Sequence, residues 1–333
     1  MSKLTVGLIG CGRWTQTAHV PFLQRSSIIN DIIVSGVVTL QEGKDLVKRL
    51  GLAKYEHDWE KIAENPSIDL VIISTPHQLH YNQIKTCLLS GKHVHVDKPP
   101  TLSYAQFDEV REIARQNNLI FSVHAQMKYM PGMLRVKRII ESNFSGIYQV
   151  NGYFWQKLFD DFSGSWRSNP VLSGGGIMVD SGYHTIDTIH YLLNTFKPSE
   201  PNFLSHAGTR NASDTVGLLT YRQDNTIVSV SAIRGAPKAT QRQRIEIFGD
   251  GGYVEFRLQK GVNEEHVTVQ YQKMDGTRED YEYSLTDDYL SDPLHMFLEV
   301  ISTGNAHMRD EIEHNLNISG SAVKVLDGAY KKS

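Results

Sequence analysis

The feature that most constrains this chain is the regular alternation of short apolar runs with helix-like stretches over its first 125 residues. Apolar runs at Thr5–Ile9, Ile32–Val38, Leu70–Ser74, His93–Val96 and Ile120–Val123 have strand length. Between them, Trp59–Glu64, Tyr81–Leu89 and Tyr104–Gln116 place apolar residues at three- and four-residue intervals, the spacing of one helix face. Strands alternating with helices of this kind build βαβ units around a parallel sheet. After about residue 145 the rhythm changes. Strand candidates at Ile147–Trp155, Thr215–Tyr221, Ile227–Ile233, Arg244–Phe248, Tyr253–Phe256, Val267–Tyr271 and Glu279–Tyr283 follow one another with turn residues between them, as in Gly249-Asp-Gly-Gly and Lys273-Met-Asp-Gly. Two closing helices are predicted, around Tyr289–Ser302 and Ile312–Tyr330. The expected fold class is therefore α/β in an N-terminal doubly wound domain over 1–125, joined to an α+β domain over 126–310 with a large, mostly antiparallel open sheet. A C-terminal helix over 311–333 is expected to pack back near the first domain.

Composition narrows the function classes. With 34 Lys+Arg against 37 Asp+Glu the formal net charge is −3, so no basic field awaits a nucleic acid. The two cysteines, Cys11 and Cys87, have neither the number for a disulfide framework nor the spacing of a zinc or redox motif. No long apolar run suggests a membrane span, and the first residues lead straight into a strand. A cytoplasmic protein is expected, with no nucleic acid and no membrane as partner.

The first strand leads into Gly10-Cys11-Gly12-Arg13-Trp14-Thr15. Glycines here let the backbone turn tightly and approach a pyrophosphate at a helix N-terminus. Thr15 stands where the dinucleotide fingerprint has its third glycine, so a glycine turn of some other α/β domain stays open as a reading. The second strand is expected to end near Thr39, where an NAD site carries an acid. The run Val37-Val38-Thr39-Leu40-Gln41-Glu42-Gly43-Lys44 has none at the strand end, and Thr39 and Lys44 suit a 2′-phosphate. The cofactor expectation is NAD(P), with NADP favoured; Glu42 serves NAD if the register differs.

Three further residues carry chemistry. Lys98 precedes Pro99-Pro100, and proline excludes the α conformation from the residue before it. Lys98 is thus held extended at the carboxyl end of a strand, where an ammonium can donate to a substrate hydroxyl and stabilise charge growing on its oxygen. An ordinary surface lysine before a proline turn is the plain alternative. Asp180 and His184, four apart, share one face if the segment is helical. The imidazole can then accept an alcohol proton and return it, with the carboxylate bonding substrate or orienting the ring. The alternative is a glycine-capped helix whose Asp and His only satisfy a buried seam. Asp187, one turn further, is read as a partner of His184. His77 and His80 with His93 and His95 suggest a metal, but no cysteine or carboxylate completes that set, and no metal is expected.

Taken in order, Gly10-Cys-Gly12-Arg13, Ser74-Thr75-Pro76 with His80, Asp97-Lys98-Pro99 and Gly174-Gly-Gly-Ile-Met-Val-Asp180-Ser-Gly182-Tyr-His184 resemble the Gfo/Idh/MocA family of NAD(P)-dependent oxidoreductases, relatives of glucose–fructose oxidoreductase and inositol dehydrogenase. The resemblance spans nearly the whole chain and implies a Rossmann domain at its start. It implies Lys98, Asp180 and His184 as the catalytic set, and a cis Lys98–Pro99 bond. Gly10, Gly12, Arg13, Trp14, Thr39, Ser74, Thr75, Pro76, His80, Asp97, Lys98, Gln126, Trp166 and Arg167 are the implied cofactor contacts. Gln126 keeps an amide for the nicotinamide, while Met127 replaces an arginine usual in the family. The implied activity is hydride transfer between nicotinamide and a carbinol or ketone carbon of a sugar, nucleotide sugar, cyclitol or related polyol. Lys98 falls in the first domain and Asp180 and His184 in the second, so the chemistry is expected in a cleft between them. A glycosidase with an internal hydride shuttle and a dinucleotide-sensing regulator stay open as alternatives. Alternating Tyr, Val and Ile on the second sheet predict a homodimer or homotetramer through that sheet.

Overall fold

The computed structural model describes residues 3–36, 40–156, 165–194, 203–207, 213–235, 242–260, 265–285 and 287–332. The chain divides into two compact units, Met1–His124 with Leu290–Leu316, and Ala125–Tyr289 with Asn317–Ser333.

In the first unit six strands, β1 (Leu4–Ile9), β2 (Ile29–Ser35), β3 (Lys54–Tyr55), β4 (Leu70–Ile73), β5 (His93–Asp97) and β6 (Phe121–His124), form a sheet in the order β3-β2-β1-β4-β5-β6. Every pairing is parallel. This is the Rossmann order, and it reverses between β1 and β4, where a crevice opens at the carboxyl ends of the strands. The apolar runs do what a sheet covered on both faces requires: Val6, Leu8, Leu70, Val71, Ile72, Ile73, Val94 and Val96 are all fully buried. Helices α1 (Val20–Arg25), α2 (Leu40–Leu50), α3 (Glu60–Glu64), α4 (His77–Leu89) and α5 (Tyr104–Gln116) lie between the strands in sequence. β2 was expected over Ile32–Val38 but ends at Ser35. The reason is steric. Gly36 has φ +102°, and a Cβ there would stand 2.7 Å from the Gly10 Cα, so the chain turns away where β2 meets the glycine turn. Thr39, on which the NADP expectation leaned, lies outside the described residues.

The second unit carries eight strands: β7 (Ile147–Gln156), β8 (Phe203–Ala207), β9 (Val216–Gln223), β10 (Thr226–Arg234), β11 (Arg242–Gly249), β12 (Gly252–Lys260), β13 (Glu265–Gln272) and β14 (Arg278–Ser284). Their order is β14-β13-β12-β11-β7-β10-β9-β8, antiparallel except for the parallel β7–β10 pair at the centre. With it come α6 (Met133–Asn143), α7 (Pro170–Ser173) and α8 (Tyr183–Leu193), and the chain closes with α9 (Asp292–Thr303) and α10 (Ala306–Lys332). Alternation sets the two faces of the sheet. Val150, Phe154, Val228, Val230, Ile245 and Ile247 point inward and are buried. α8 packs against β7 because residue 152 is glycine: a Cβ there would come within 2.4 Å of Thr185 Cγ2 and 2.9 Å of Ile189 Cδ1. On the opposite face Leu218, Ile227 and Phe248 are exposed. α6 and β8 were missing from the sequence reading, α6 because charged residues dilute its apolar stripe of Met133, Val136, Ile139 and Ile140.

Candidate active site

In the first unit, the residues that follow β1, β4, β5 and β6 gather at the carboxyl edge of the sheet. Gly10 has φ +93°, and a Cβ on it would lie 2.3 Å from the Ser74 carbonyl oxygen, so only glycine closes the β1–β4 seam. Gly12, two residues on, has nothing within 4 Å of where its Cβ would be. The turn therefore leaves open space at its apex, beside exposed Arg13 and half-buried Trp14, as a pyrophosphate cradle requires. Thr15 replaces the third glycine without loss of packing. It is fully buried, and its hydroxyl donates to the Gly10 carbonyl at 3.1 Å, tying the turn to the helix behind it. That helix opens with a π turn over Thr15–His19.

The other first-unit residues form one hydrogen-bonded group. Ser74 donates to Asp97 Oδ2, and His19 Nε2 lies 3.0 Å from Asp97 Oδ1. Burial opposes ionisation of Asp97, but His19 and the Ser74 hydroxyl outweigh it, and the carboxyl is held well below the usual carboxylate range. Lys98 follows directly, half-buried, and its bond to Pro99 is cis, as the family resemblance implied. Thr75 Oγ1 donates to Gln83 Oε1 at 2.5 Å. His80 is fully buried, with Nδ1 2.9 Å from the Pro99 carbonyl and Nε2 2.9 Å from the Thr75 carbonyl. The ring braces the turn after β4 against the turn after β5, and neither nitrogen is left for a ligand.

In the second unit, Gly174 and Gly175 take positive φ and Gly176 has no room for a Cβ, which would lie 2.2 Å from the Asp214 carbonyl. The segment that follows, Met178–Gly182, is a π turn that passes directly into α8. The sequence placed Asp180 and His184 on one face only if the segment were regularly helical. The π turn replaces the i→i+4 ladder by i→i+5, and such bulges concentrate at functional sites. Asp180 Oδ2 accepts from Arg167 Nε at 3.2 Å and from Arg234 Nη2 at 3.1 Å. The Arg167 guanidinium also lies 4.3 Å from the centre of the Trp166 ring. His184 is 9% exposed and stacks on Phe154, with ring centres 6.2 Å apart and planes at 19°. Gln126 is buried, and its Oε1 has no hydrogen-bond partner, which suits an amide-binding role.

Asp187 was expected to partner His184, but its carboxylate is engaged elsewhere. Lys128 Nζ lies 3.2 Å from Oδ2, and the Ser319 hydroxyl donates to Oδ1 at 2.8 Å. Both side chains of the Lys128–Asp187 pair are 2% exposed. Burial pushes the Asp187 carboxyl above its ordinary value, against the pull of Lys128. Arg234 and Lys128 escaped sequence reading because each meets its partner across a long stretch of chain. Among the described residues no helix is long and apolar enough to cross a membrane.

Residues 4–125 match the model of the oxidoreductase family with an NAD-binding Rossmann fold, and residues 133–255 match the GFO/IDH/MocA C-terminal domain. The chain is similar to a scyllo-inositol 2-dehydrogenase (NADP(+)) of Bacillus subtilis, 24% identical over 262 residues, covering 78% of this chain and 70% of the relative. It is 24% identical over 294 residues to the levoglucosan dehydrogenase of Pseudarthrobacter phenanthrenivorans, covering 78% of this chain and 75% of that one. Among solved structures, a 3-ketoreductase from Actinomadura kijaniata in complex with NADP and TDP-benzene superposes with a TM-score of 0.80 at 16% identity, covering 99% of this chain and 98% of the other.

A buried ion pair that loses one partner leaves an uncompensated charge and costs about 3–5 kcal/mol, whereas replacing both partners by apolar groups is often neutral. Lys128→Met is therefore expected to lower stability by about that amount, and Lys128→Met/Asp187→Leu by much less, as read from denaturant unfolding. A single variant as stable as the parent would show that the pair bears no load. Both family models match in chain order, on the two units that carry the glycine turn with Lys98 and the π turn with Asp180 leading into α8 with His184, and the protein belongs to the GFO/IDH/MocA family of oxidoreductases.

Proposed function

We propose that the protein transfers hydride between NAD(P) and a carbinol or ketone carbon of a sugar, nucleotide sugar, cyclitol or related polyol, in a cytoplasmic setting that suits its two buried free cysteines. The observation that carries this reading is the joint presence of a half-buried lysine at the carboxyl end of β5 and, in the second unit, Asp180 on a glycine-led π turn with His184 on the α8 turn that follows it. A regulator that only senses a dinucleotide has no need of both. The names of the relatives, acting on inositol and levoglucosan, support the polyol class.

Gly10, Gly12, Arg13, Trp14, Ser74, Thr75, Pro76, Asp97 and Gln126 are the residues to hold the cofactor, with Trp166 and Arg167 beside the substrate. When bound, the nicotinamide supplies the hydride acceptor or donor. Lys98 donates a hydrogen bond to the reacting oxygen and stabilises the charge it carries as the C–H bond changes. His184 takes the hydroxyl proton in oxidation and returns it in reduction. Asp180, held by Arg167 and Arg234, fixes a negative charge near the substrate and does not shuttle protons. Replacing Lys98 by Met or His184 by Ala is expected to lower turnover about 10²–10⁴-fold while nicotinamide binding stays near the parent value. A panel of inositols, aldoses and nucleotide sugars, followed at the nicotinamide absorbance, reads this out. Near-parent turnover by His184→Ala removes the assignment, and glycoside cleavage without net nicotinamide change moves it to the hydride-shuttle glycosidases.

NADP is the favoured form. β2 ends at Ser35-Gly36, with no carboxylate at the strand end to pair with a ribose 2′-hydroxyl and repel a 2′-phosphate. Fluorescence titration is expected to show tighter binding of NADPH than of NADH, and the reverse order refutes the preference.

Self-association through the second sheet completes the proposal. Its outer face carries exposed Leu218, Ile227 and Phe248, apolar side chains suited to contact with a second copy of the chain. Light scattering is expected to give a dimer or tetramer that Ile227→Asp with Leu218→Asp dissociates; a monomeric parent protein overturns it.

A further inference from the structure

Three histidines and an aspartate crowd the carboxyl ends of β5 and β6 in the first unit, beside the helix that follows the glycine turn. His19, His95 and His124 are at most 2% exposed. His19, Asp97 and His124 each offer one ligand atom, and these atoms all lie within 4.8 Å of one another. Among the described residues this is the one such group.

Hydrogen bonding within the group leaves a gap. His95 Nε2 lies 2.9 Å from His124 Nδ1, and the Ser122 hydroxyl lies 3.1 Å from His95 Nδ1, so the inward nitrogen of His124 is oriented by a chain of two partners. The remaining nitrogen, Nε2, is buried without a hydrogen bond of normal geometry, and the Leu290 backbone is the polar neighbour that acts on the ring. Leaving such an atom unpaired in the interior forfeits its hydration with nothing in return. Asp97 is likewise oriented from outside, by the Ser74 hydroxyl on Oδ2, while Oδ1 faces His19. A ligand imidazole whose second nitrogen is held by another polar group, and a ligand carboxylate that is itself hydrogen-bonded, are the usual supports of a metal centre.

The one close approach, between His19 and Asp97, suits an ion. With metal–nitrogen and metal–oxygen lengths of about 2.0–2.2 Å, tetrahedral neighbours stand about 3.4 Å apart. The 3.0 Å between His19 Nε2 and Asp97 Oδ1 needs to open by only a few tenths of an ångström to admit one. Two imidazole nitrogens and one carboxylate oxygen suit zinc, cobalt, nickel or ferrous iron better than calcium or magnesium, which prefer all-oxygen shells.

We propose that His19, Asp97 and His124 bind one divalent transition-metal ion, with His95 and Ser74 orienting two of the three ligands. The ion ties the ends of β5 and β6 to the helix behind the glycine turn and fixes the strand end from which Lys98 projects. The four histidines flagged in the sequence, His77, His80, His93 and His95, do not supply these ligands; the carboxylate missing there is Asp97, and His95 enters as a support. Binding of the ion does not depend on the proposed hydride transfer.

The test uses the full chain, stripped with a chelator and titrated with Co²⁺ in the absence of nicotinamide and substrate. Visible d–d absorption is expected to saturate at one equivalent per chain and to vanish on adding Zn²⁺. His124→Gln is expected to abolish the signal, and His95→Gln to weaken Co²⁺ binding 10–100-fold, the usual effect of removing a ligand's support. Circular dichroism confirms that each variant folds, and Asp97→Asn serves as the second ligand variant if His124→Gln does not. Absence of saturable absorption in the parent protein, or full absorption in a folded ligand variant, overturns the proposal. The readout is Co²⁺ absorption without nicotinamide or substrate, so failure here and failure of the dehydrogenase reading remain distinguishable.

Discussion

The close approach of the β1 turn to the β4 turn sets the first half of this molecule. The Gly10 Cα lies so near the Ser74 carbonyl that any side chain at residue 10 would collide with it, and Gly36 presses on Gly10 from the β2 side. Three strands of a parallel sheet thus converge closely at residues 10, 36 and 74, and the turn is open at Gly12. Everything placed on the carboxyl edge depends on that convergence: Ser74 reaches Asp97, Asp97 reaches His19, and His80 spans the turns after β4 and β5. The edge is a hydrogen-bonded frame with Lys98 at its rim.

The second half reaches order by another route. α8 is buried along nearly its whole length, and two of its polar residues are met by side chains of other elements. Asp187 is met by Lys128 and Ser319, and His190 by Tyr221 and Ser321. Burial alone holds the His190 imidazole down to about 3, so it stays neutral and acts as a hydrogen-bonding spacer. Each partner comes from a different element, so the helix is keyed to its neighbours at several points and its N-terminal turn is held in a fixed place.

Much of this was legible in the sequence, and the limits have physical reasons. The βαβ rhythm, the glycine turn and the Lys98–Pro99 pair are local patterns, and local sterics decide them. The end of β2 was misread because the signal that stops it is a contact between Gly36 and Gly10, distant in sequence. Arg234 was not seen as a partner of Asp180, nor Lys128 as a partner of Asp187, for the same reason: only the folded sheet brings them together. The histidine cluster was half visible. His95 stood out by its spacing, but His19 and His124 belong to a helix and a strand that share no motif with it.

Each unit places a π turn next to its glycine turn, Thr15–His19 in one and Met178–Gly182 in the other. A π turn contains one residue more than the α turn it replaces, so every residue beyond it is rotated by about 100° relative to an uninterrupted helix. In a homologue without the bulge, the residue numerically matching His184 would face a different direction. Alignments through this helix therefore need a one-residue gap at the bulge, and a count of four from Asp to His is no guide to whether two family members aim the same imidazole at the same place.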